Sequence, residues 1–221
     1  MSQIKLKHSG GNSSIIAAPS SNPASDVTFR LPNADGSANQ VLKTDGSGSL
    51  GFTSNNSMTL LSTTSLSSSG NIIANVSISL TDYKILYGEM YSVTRPSGGI
   101  GDVSIRFNGV SSTIYKYVMQ RMDNNGSYSN IGNQSANAFY YNMTGVAGWT
   151  SGINFAHFSL HLVNEGTRKT FEMVAGGELN SGSIVLTTNG YWDSTAAVTS
   201  VEVQCSDTDI NGGTLKLFGV K

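Results

Sequence analysis

The sequence predicts an all-β protein: an extended N-terminal arm of short strands, followed by one antiparallel, jelly-roll-like β-sandwich, with little helix. Three observations support this fold class. Apolar and polar residues alternate with a period of two in many short segments, which is typical of strands that bury one face. Turn-forming pairs such as Asn108-Gly109 and Asn189-Gly190 separate these segments. No window of a dozen residues combines a 3.6-residue apolar stripe with capping residues.

Residues 1–57 are the predicted arm. Apolar residues occur there only in short clusters such as Ile15-Ile16 and Val41-Leu42, separated by Gly, Ser, Asn and Pro. The prolines fix extended backbone, and the segment 44–48 (TDGSG) is a turn signal that joins short strands. Because such a segment cannot close a core alone, we expect neighbouring subunits to support it.

Residues 58–70, rich in Ser and Thr, are the predicted linker, and residues 71–221 are the predicted sandwich domain. Four segments of the domain show the period of two most clearly, and each predicts one buried strand face. Their expected core residues are Ala74, Val76, Ile78 and Leu80; Val103, Ile105 and Phe107; Phe158, Leu160 and Leu162; and Val201, Val203 and Cys205. The segment Tyr115 to Met122 fits either a strand or a single helical turn.

The charge content excludes several classes of partner. Charged residues make up 12% of the chain, with 13 basic and 14 acidic side chains and no block of one sign. A protein that binds the phosphate backbone needs a basic patch, so we expect no nucleic-acid partner. The sequence has neither a signal-peptide pattern nor a long apolar run, so we expect no membrane insertion and synthesis in the cytoplasm.

The residues that carry chemistry are sparse. His157 and His161 share one strand face with a spacing of about 13 Å, too wide to chelate one ion directly. We therefore place both histidines on a solvent or subunit-interface face, and a site shared around a threefold axis is the less favoured alternative. Asp207 and Asp209 resemble a fragment of a calcium loop but lack its later glutamate, so a turn is the favoured role.

Candidate catalytic groups are equally scattered. Nothing in the sequence pairs Glu165 with Glu172 as a glycosidase acid and nucleophile, and the segment 46–49 (GSGS) lacks the strand and helix of a nucleophile elbow. We expect the protein not to be an enzyme, and to bind neither a metal nor a cofactor.

Aromatic residues bordered by Gly and Asn form the candidate binding surface: Tyr140, Tyr141, Trp149, Tyr191 and Trp192. Aromatic side chains of this kind serve receptor recognition or subunit contact. Core packing explains them at least as well, and both alternatives stand.

The arm resembles a known class of proteins. The segment 4–26, which begins IKLKHSGGN, looks like the opening of structural proteins from marine cyanophages and related phages. The segments 30–36 (RLPNADG) and 40–48 (QVLKTDGSG) resemble a phrase common in phage tail fibres. The segment 212–220 is similar to the last strand of many C-terminal phage β-domains, with Phe218 in place of the usual tyrosine.

The resemblance implies a surface-exposed homotrimer of the virion, of the tail-fibre type, that contributes to recognition of the host surface. Its partners would be itself, the tail or the major capsid protein, and a host glycan. The alternative is a capsid decoration protein that stabilises the head, because there is no long shaft repeat. A secreted hydrolase or lectin is disfavoured, since a signal sequence, disulfides and an acid/base pair are all missing from the sequence.

Overall fold

The computed structural model describes residues 3–17, 19–55, 57–67, 71–94, 103–123, 126, 128–141, 153–179, 182–205 and 212–221. The chain divides into two compact units, Met1–Asn56 and Ser57–Lys221. The described part contains strands and turns and no helix, which confirms the all-β prediction. It therefore also contains no helix that could cross a membrane.

The first unit consists of two separate hairpins. Its strands are β1 (Gln3–Lys7), β2 (Ser13–Ala17), β3 (Gln40–Thr44) and β4 (Leu50–Ser54). β1 pairs with β2, and β3 pairs with β4, both antiparallel. Apart from the half-buried Leu50, its described large apolar side chains are between 40% and 77% exposed. A lone two-stranded hairpin is marginally stable in water, so this unit does not bury a core of its own.

The turn between β3 and β4 is built by hydrogen bonds within residues 45–49. The Asp45 carboxylate accepts the backbone N–H groups of Ser47 and Ser49 at 2.7 and 3.0 Å, and these bonds hold the pKa of Asp45 below its usual value. The Arg30 backbone N–H donates to the Gly48 carbonyl at 2.7 Å. Gly48 has a φ of +91°, and a Cβ there would lie 2.5 Å from the Thr28 carbonyl oxygen. These contacts fix the turn 45–49 against Arg30, and we call the arrangement the Arg30 clasp.

The second unit is built from the remaining strands. They are β5 (Met58–Ser65), β6 (Ile72–Ser77), β7 (Ile85–Thr94), β8 (Val103–Phe107), β9 (Tyr115–Asp123), β10 (Tyr128–Ala136), β11 (Phe139–Tyr141), β12 (Ile153–His161), β13 (Lys169–Leu179), β14 (Gly182–Trp192), β15 (Ser200–Cys205) and β16 (Gly212–Val220). The large sheet has eight strands in the order β10-β9-β14-β13-β12-β7-β16-β5. The small sheet has four, in the order β11-β8-β15-β6.

The strand order contains a jelly-roll framework. Without the paired strands β9–β10 and β13–β14, the large sheet reads β12-β7-β16-β5, facing β11-β8-β15-β6. Two four-stranded sheets with these crossovers are the arrangement of a jelly roll. The two additional pairs extend the large sheet on one side.

The core between the two sheets is strongly aromatic. Phe139 and Phe171 stack with ring centroids 3.9 Å apart, and Phe107 meets both of them edge-on. Trp192 and Tyr115 complete this fully buried cluster. Rings from both sheets thus fill the centre of the sandwich.

Most of the expected core faces are confirmed. The alternating residues of β6, β8 and β15 are buried, including Cys205, and Phe158 and Leu160 of β12 are buried as well. Two residues differ from the expectation. Ile78 is only partly buried, and Leu162 is 39% exposed, because a φ of +61° just after β12 ends the alternation. The segment Tyr115 to Met122 is a strand, β9.

The predicted linker needs correction. Residues 58–65 form β5, which pairs with β16 from Met58 to Ser65 at the edge of the large sheet. An edge strand buries little of itself, so its Ser- and Thr-rich composition resembles that of a linker. The division between the two units accordingly lies before this strand, after Asn56.

Candidate functional site

The outer face of the large sheet is the candidate site. Successive side chains of a strand point to opposite faces, so half of the residues in this sheet point away from the core. The strand registers place these outward residues in rows that cross the sheet. Four such rows define the outer face.

The first row spans six strands, and five of them contribute a large side chain to it. Tyr128 of β10 is opposite Met122 of β9, which is opposite Val185 of β14. Phe155 of β12 lies opposite Tyr91 of β7. Gly176 of β13 stands between Val185 and Phe155, and a Cβ on it would meet the Phe155 ring at 2.8 Å. The row therefore presents a continuous apolar surface at the points where most soluble sheets carry polar side chains.

The second row carries polar and charged groups. His157 of β12 is opposite Glu89 of β7, which is opposite Lys216 of β16. The Tyr91 hydroxyl donates to the Glu89 carboxylate, and this bond raises the pKa of Tyr91 to about 12. The Lys216 ammonium lies 5.4 Å from the centre of the Tyr91 ring. Glu89 and Lys216 thus both interact with Tyr91, which lies on the same face.

The third row combines apolar and polar side chains. Phe218 of β16 lies between Tyr87 and Leu60, and Ser159 lies between Tyr87 and Glu172. Burial raises the pKa of Tyr87, and the nearby negative charge of Glu89 adds to this effect. Val118 is the member of this row on β9.

Both histidines of the predicted outward face lie on this surface. The His157 ring stacks between Tyr87 and Phe155, with centroid distances of 6.3 and 6.1 Å. Ser159 Oγ and His161 Nε2 are 3.1 Å apart. The cavity beside His157 is about 90 Å³, which suits two or three water molecules. A cavity of this size is too small to enclose a sugar ring.

The fourth row forms a charged border at one end. Tyr191 of β14 lies opposite Lys116 of β9, and its ring has Lys116 and Arg168 within 5.6 and 5.2 Å of the centroid. Asp193 links both cations, at 2.7 Å from Arg168 and 3.5 Å from Lys116. The bond from Arg168 is the main reason why the pKa of Asp193 is lowered.

The five aromatic residues expected to form a binding surface do not all share one face. Trp192 is fully buried, because it follows the outward-pointing Tyr191 and therefore faces the core. Tyr140 is half-buried, and its hydroxyl donates to Asn137 Oδ1 at 2.6 Å. Tyr141 ends β11 and its side chain is not described, while Trp149 lies outside the described residues.

Lys169 is a buried charged residue that sequence reasoning missed. Its ammonium donates to the backbone carbonyls of Glu165 and Thr167 at 2.8 Å, and to that of Ser194 at 3.1 Å. Burial lowers its pKa, and the Trp192 ring lies 5.9 Å away. Lys169 thus joins the loop before β13 to the segment after β14, which is a structural role.

The outer face of the small sheet is different in character. Glu202 of β15 accepts bonds from Arg106 at 3.5 Å and from Gln204 at 2.8 Å. Arg106 also donates to the Asn137 carbonyl at 3.0 Å. The polar groups of this face therefore satisfy one another, and they leave no apolar platform.

The described residues contain no group of three or more His, Cys, Asp or Glu side chains that could hold a metal ion. Asp207 and Asp209 lie outside those residues. Glu172 points outward from β13, whereas Glu165 belongs to the loop before that strand.

Comparisons with protein-family models, with curated proteins and with solved structures found no match to this chain.

Proposed function

We propose that this chain is a structural protein of a bacteriophage particle: a surface-exposed homotrimer of the tail-fibre type that contributes to recognition of the host surface. The observation that carries the proposal is the arm. The two segments that resemble tail fibres, 30–36 and 40–48, contribute Arg30, β3 and part of the turn after β3. Backbone hydrogen bonds hold these parts together. A segment of this kind suits attachment and assembly.

The exposure of apolar side chains in the first unit supports an assembled state. Ile4 faces Ile16 across one hairpin, and Leu42 faces Phe52 across the other. All four side chains are exposed, although such residues normally drive burial. Other virion proteins or further copies of the arm would cover them.

The second unit suits a projecting, binding role. Its polar surface is largely uncharged, because charged residues make up only 12% of the chain. In a homotrimer, three weak sites presented together raise avidity by ~10² or more without any new contact. A host-surface glycan is the partner that we propose for this unit, bound without a covalent step.

Imaging of purified particles tests the proposal. Particles of the phage that encodes the chain would be analysed by mass spectrometry and by cryo-electron microscopy. Density for the chain at the tail supports the fibre assignment. Density at capsid positions would instead assign it to head decoration, and absence of the chain from intact particles would refute a virion role.

A further inference from the structure

We infer that the outer face of the large sheet is covered by a second copy of this chain. This inference rests on the proposed homotrimer and deepens it, because it assigns the subunit contact to one named surface. Three independent properties of the face carry it: its exposed apolar content, its size and its charge pattern.

The exposed apolar content is the first property. Side chains of the first and third rows are between 44% and 59% exposed, although they are large and apolar. These side chains are Leu60, Val118, Met122, Tyr128, Phe155 and Val185. Single exposed apolar residues are ordinary on soluble proteins, but exposed apolar neighbours mark an interaction surface, and Tyr128, Met122 and Val185 are direct neighbours in the first row.

The size of the face is the second property. Eight strands spaced about 4.8 Å apart span roughly 34 Å between the outermost strands. Four rows, each about 7 Å from the next, span roughly 20 Å along the strands. The product is on the order of 700 Å², close to the ~800 Å² that each partner contributes to a standard stable interface. One copy of the chain is thus large enough to cover this face as a whole.

The charge pattern is the third property, and it argues for a copy of the same chain. The second row presents Lys216 and Glu89 side by side, and Glu172 follows in the third row. Because it carries both signs, this face can pair its charges with opposite charges on a neighbouring copy of the chain, including around a threefold axis. A nucleic acid or an anionic membrane would need a surface of positive charge.

The charged border formed by the fourth row also supports an interface with a second copy of the chain. Lys116, Arg168 and Asp193 surround Tyr191 at one end of the face, where they form a charged margin beside the apolar rows. Interfaces between proteins commonly have an apolar centre and a polar rim. The small sheet lacks this organisation, since Arg106 and Glu202 occupy its outer face.

The test is the mass of the full chain in solution. Sedimentation equilibrium of the unmodified chain is expected to give a multiple of 23.3 kDa at micromolar concentration. The double variant Val118→Lys/Val185→Lys places two charges within the apolar rows, and is expected to give a lower mass at the same concentration. The matched control is Ile72→Lys on β6, where the side chain is 47% exposed but belongs to the small sheet.

A second double variant with milder substitutions keeps the test decisive if the lysine variant does not fold. Val118→Thr/Val185→Thr keeps the side-chain shape and is expected to weaken the association constant about tenfold or more. Circular dichroism checks that both pairs retain strand content. A monomeric unmodified chain would overturn the inference, and so would an unchanged association constant in the Val118→Thr/Val185→Thr variant. Failure of the proposed virion role is a separate result, because it is read from the composition of particles.

Discussion

Replacing Tyr115 with phenylalanine removes one oxygen atom from the centre of the sandwich. The ring is fully buried, and its hydroxyl oxygen accepts the backbone N–H of Phe107 at 3.0 Å. The same hydroxyl donates to the Val110 carbonyl at 3.0 Å. The substitution keeps the ring and its edge-on contact with Phe139, so the hydrogen bonds are the main loss.

The magnitude follows from the group that is left without a partner. A buried backbone N–H deprived of its acceptor costs about 1–3 kcal/mol. For a domain of this size, each kcal/mol lowers the unfolding midpoint by about 2–4 °C. We therefore expect Tyr115→Phe to lower the free energy of unfolding by about 1–3 kcal/mol, and the midpoint by roughly 2–12 °C.

Urea-induced unfolding followed by tryptophan fluorescence measures this change, because the Trp192 ring stacks 6.2 Å from the Tyr115 ring. Tyr140→Phe is the matched control. Its hydroxyl donates to the Asn137 side chain at 2.6 Å and its ring is half-buried, so no buried backbone N–H loses its acceptor and we expect a change of about 0.5 kcal/mol. Equal free energies of unfolding for the two variants would refute the reasoning.

The same residue predicts a pH dependence. Burial raises the pKa of Tyr115 from 10.0 to about 12. A group whose pKa is raised in the folded state contributes fully to stability below its unfolded pKa. The free energy of unfolding should therefore fall as the pH rises from 10 through about 12. Tyr115→Phe should remove part of this fall, and unfolding at a series of pH values measures it.

Three further substitutions have defined outcomes. Lys169→Met leaves three backbone carbonyls without their charged donor, and should lower the free energy of unfolding by about 2 kcal/mol or more in the same urea assay; an unchanged midpoint would contradict the structural role. Gly190→Ala places a Cβ against the backbone of β9 and should cost about 1–3 kcal/mol, whereas Gly166→Ala has open space and should be neutral. Gly48→Ala places a Cβ against the Thr28 carbonyl oxygen and should shift the amide resonances of the Arg30 clasp in two-dimensional NMR spectra. Gly51→Ala has open space and should not shift them; similar spectra for the two variants would argue against the Arg30 clasp.

Local alternation made much of the sandwich predictable. Val103, Ile105 and Phe107 share a buried face because the backbone of any strand turns successive side chains to opposite sides. The same rule could have placed Trp192 in the core. Ile184 and Leu186 of the same strand face inward, and both lie an even number of residues before Trp192.

Other features depended on distant parts of the chain. β5 is polar in composition and becomes a strand by pairing with β16, near the far end of the sequence. The jelly-roll framework with two additional strand pairs likewise follows from the order of strands in each sheet. The structural role of Lys169 is visible only in the tertiary structure, where two separate loops bring backbone carbonyls together around its ammonium group.

The sequence by itself determined the fold class, most core residues of four strands, the turn at Asp45 and the outward direction of His157 and His161. These features depend on backbone geometry over a few residues, and that geometry is encoded locally. Only the tertiary structure decided that His157, Glu89 and Lys216 lie side by side, and that Tyr128, Met122 and Val185 form one apolar row. Strand order and register arise from hydrogen bonding and burial between residues far apart in the chain, so no local pattern specifies them.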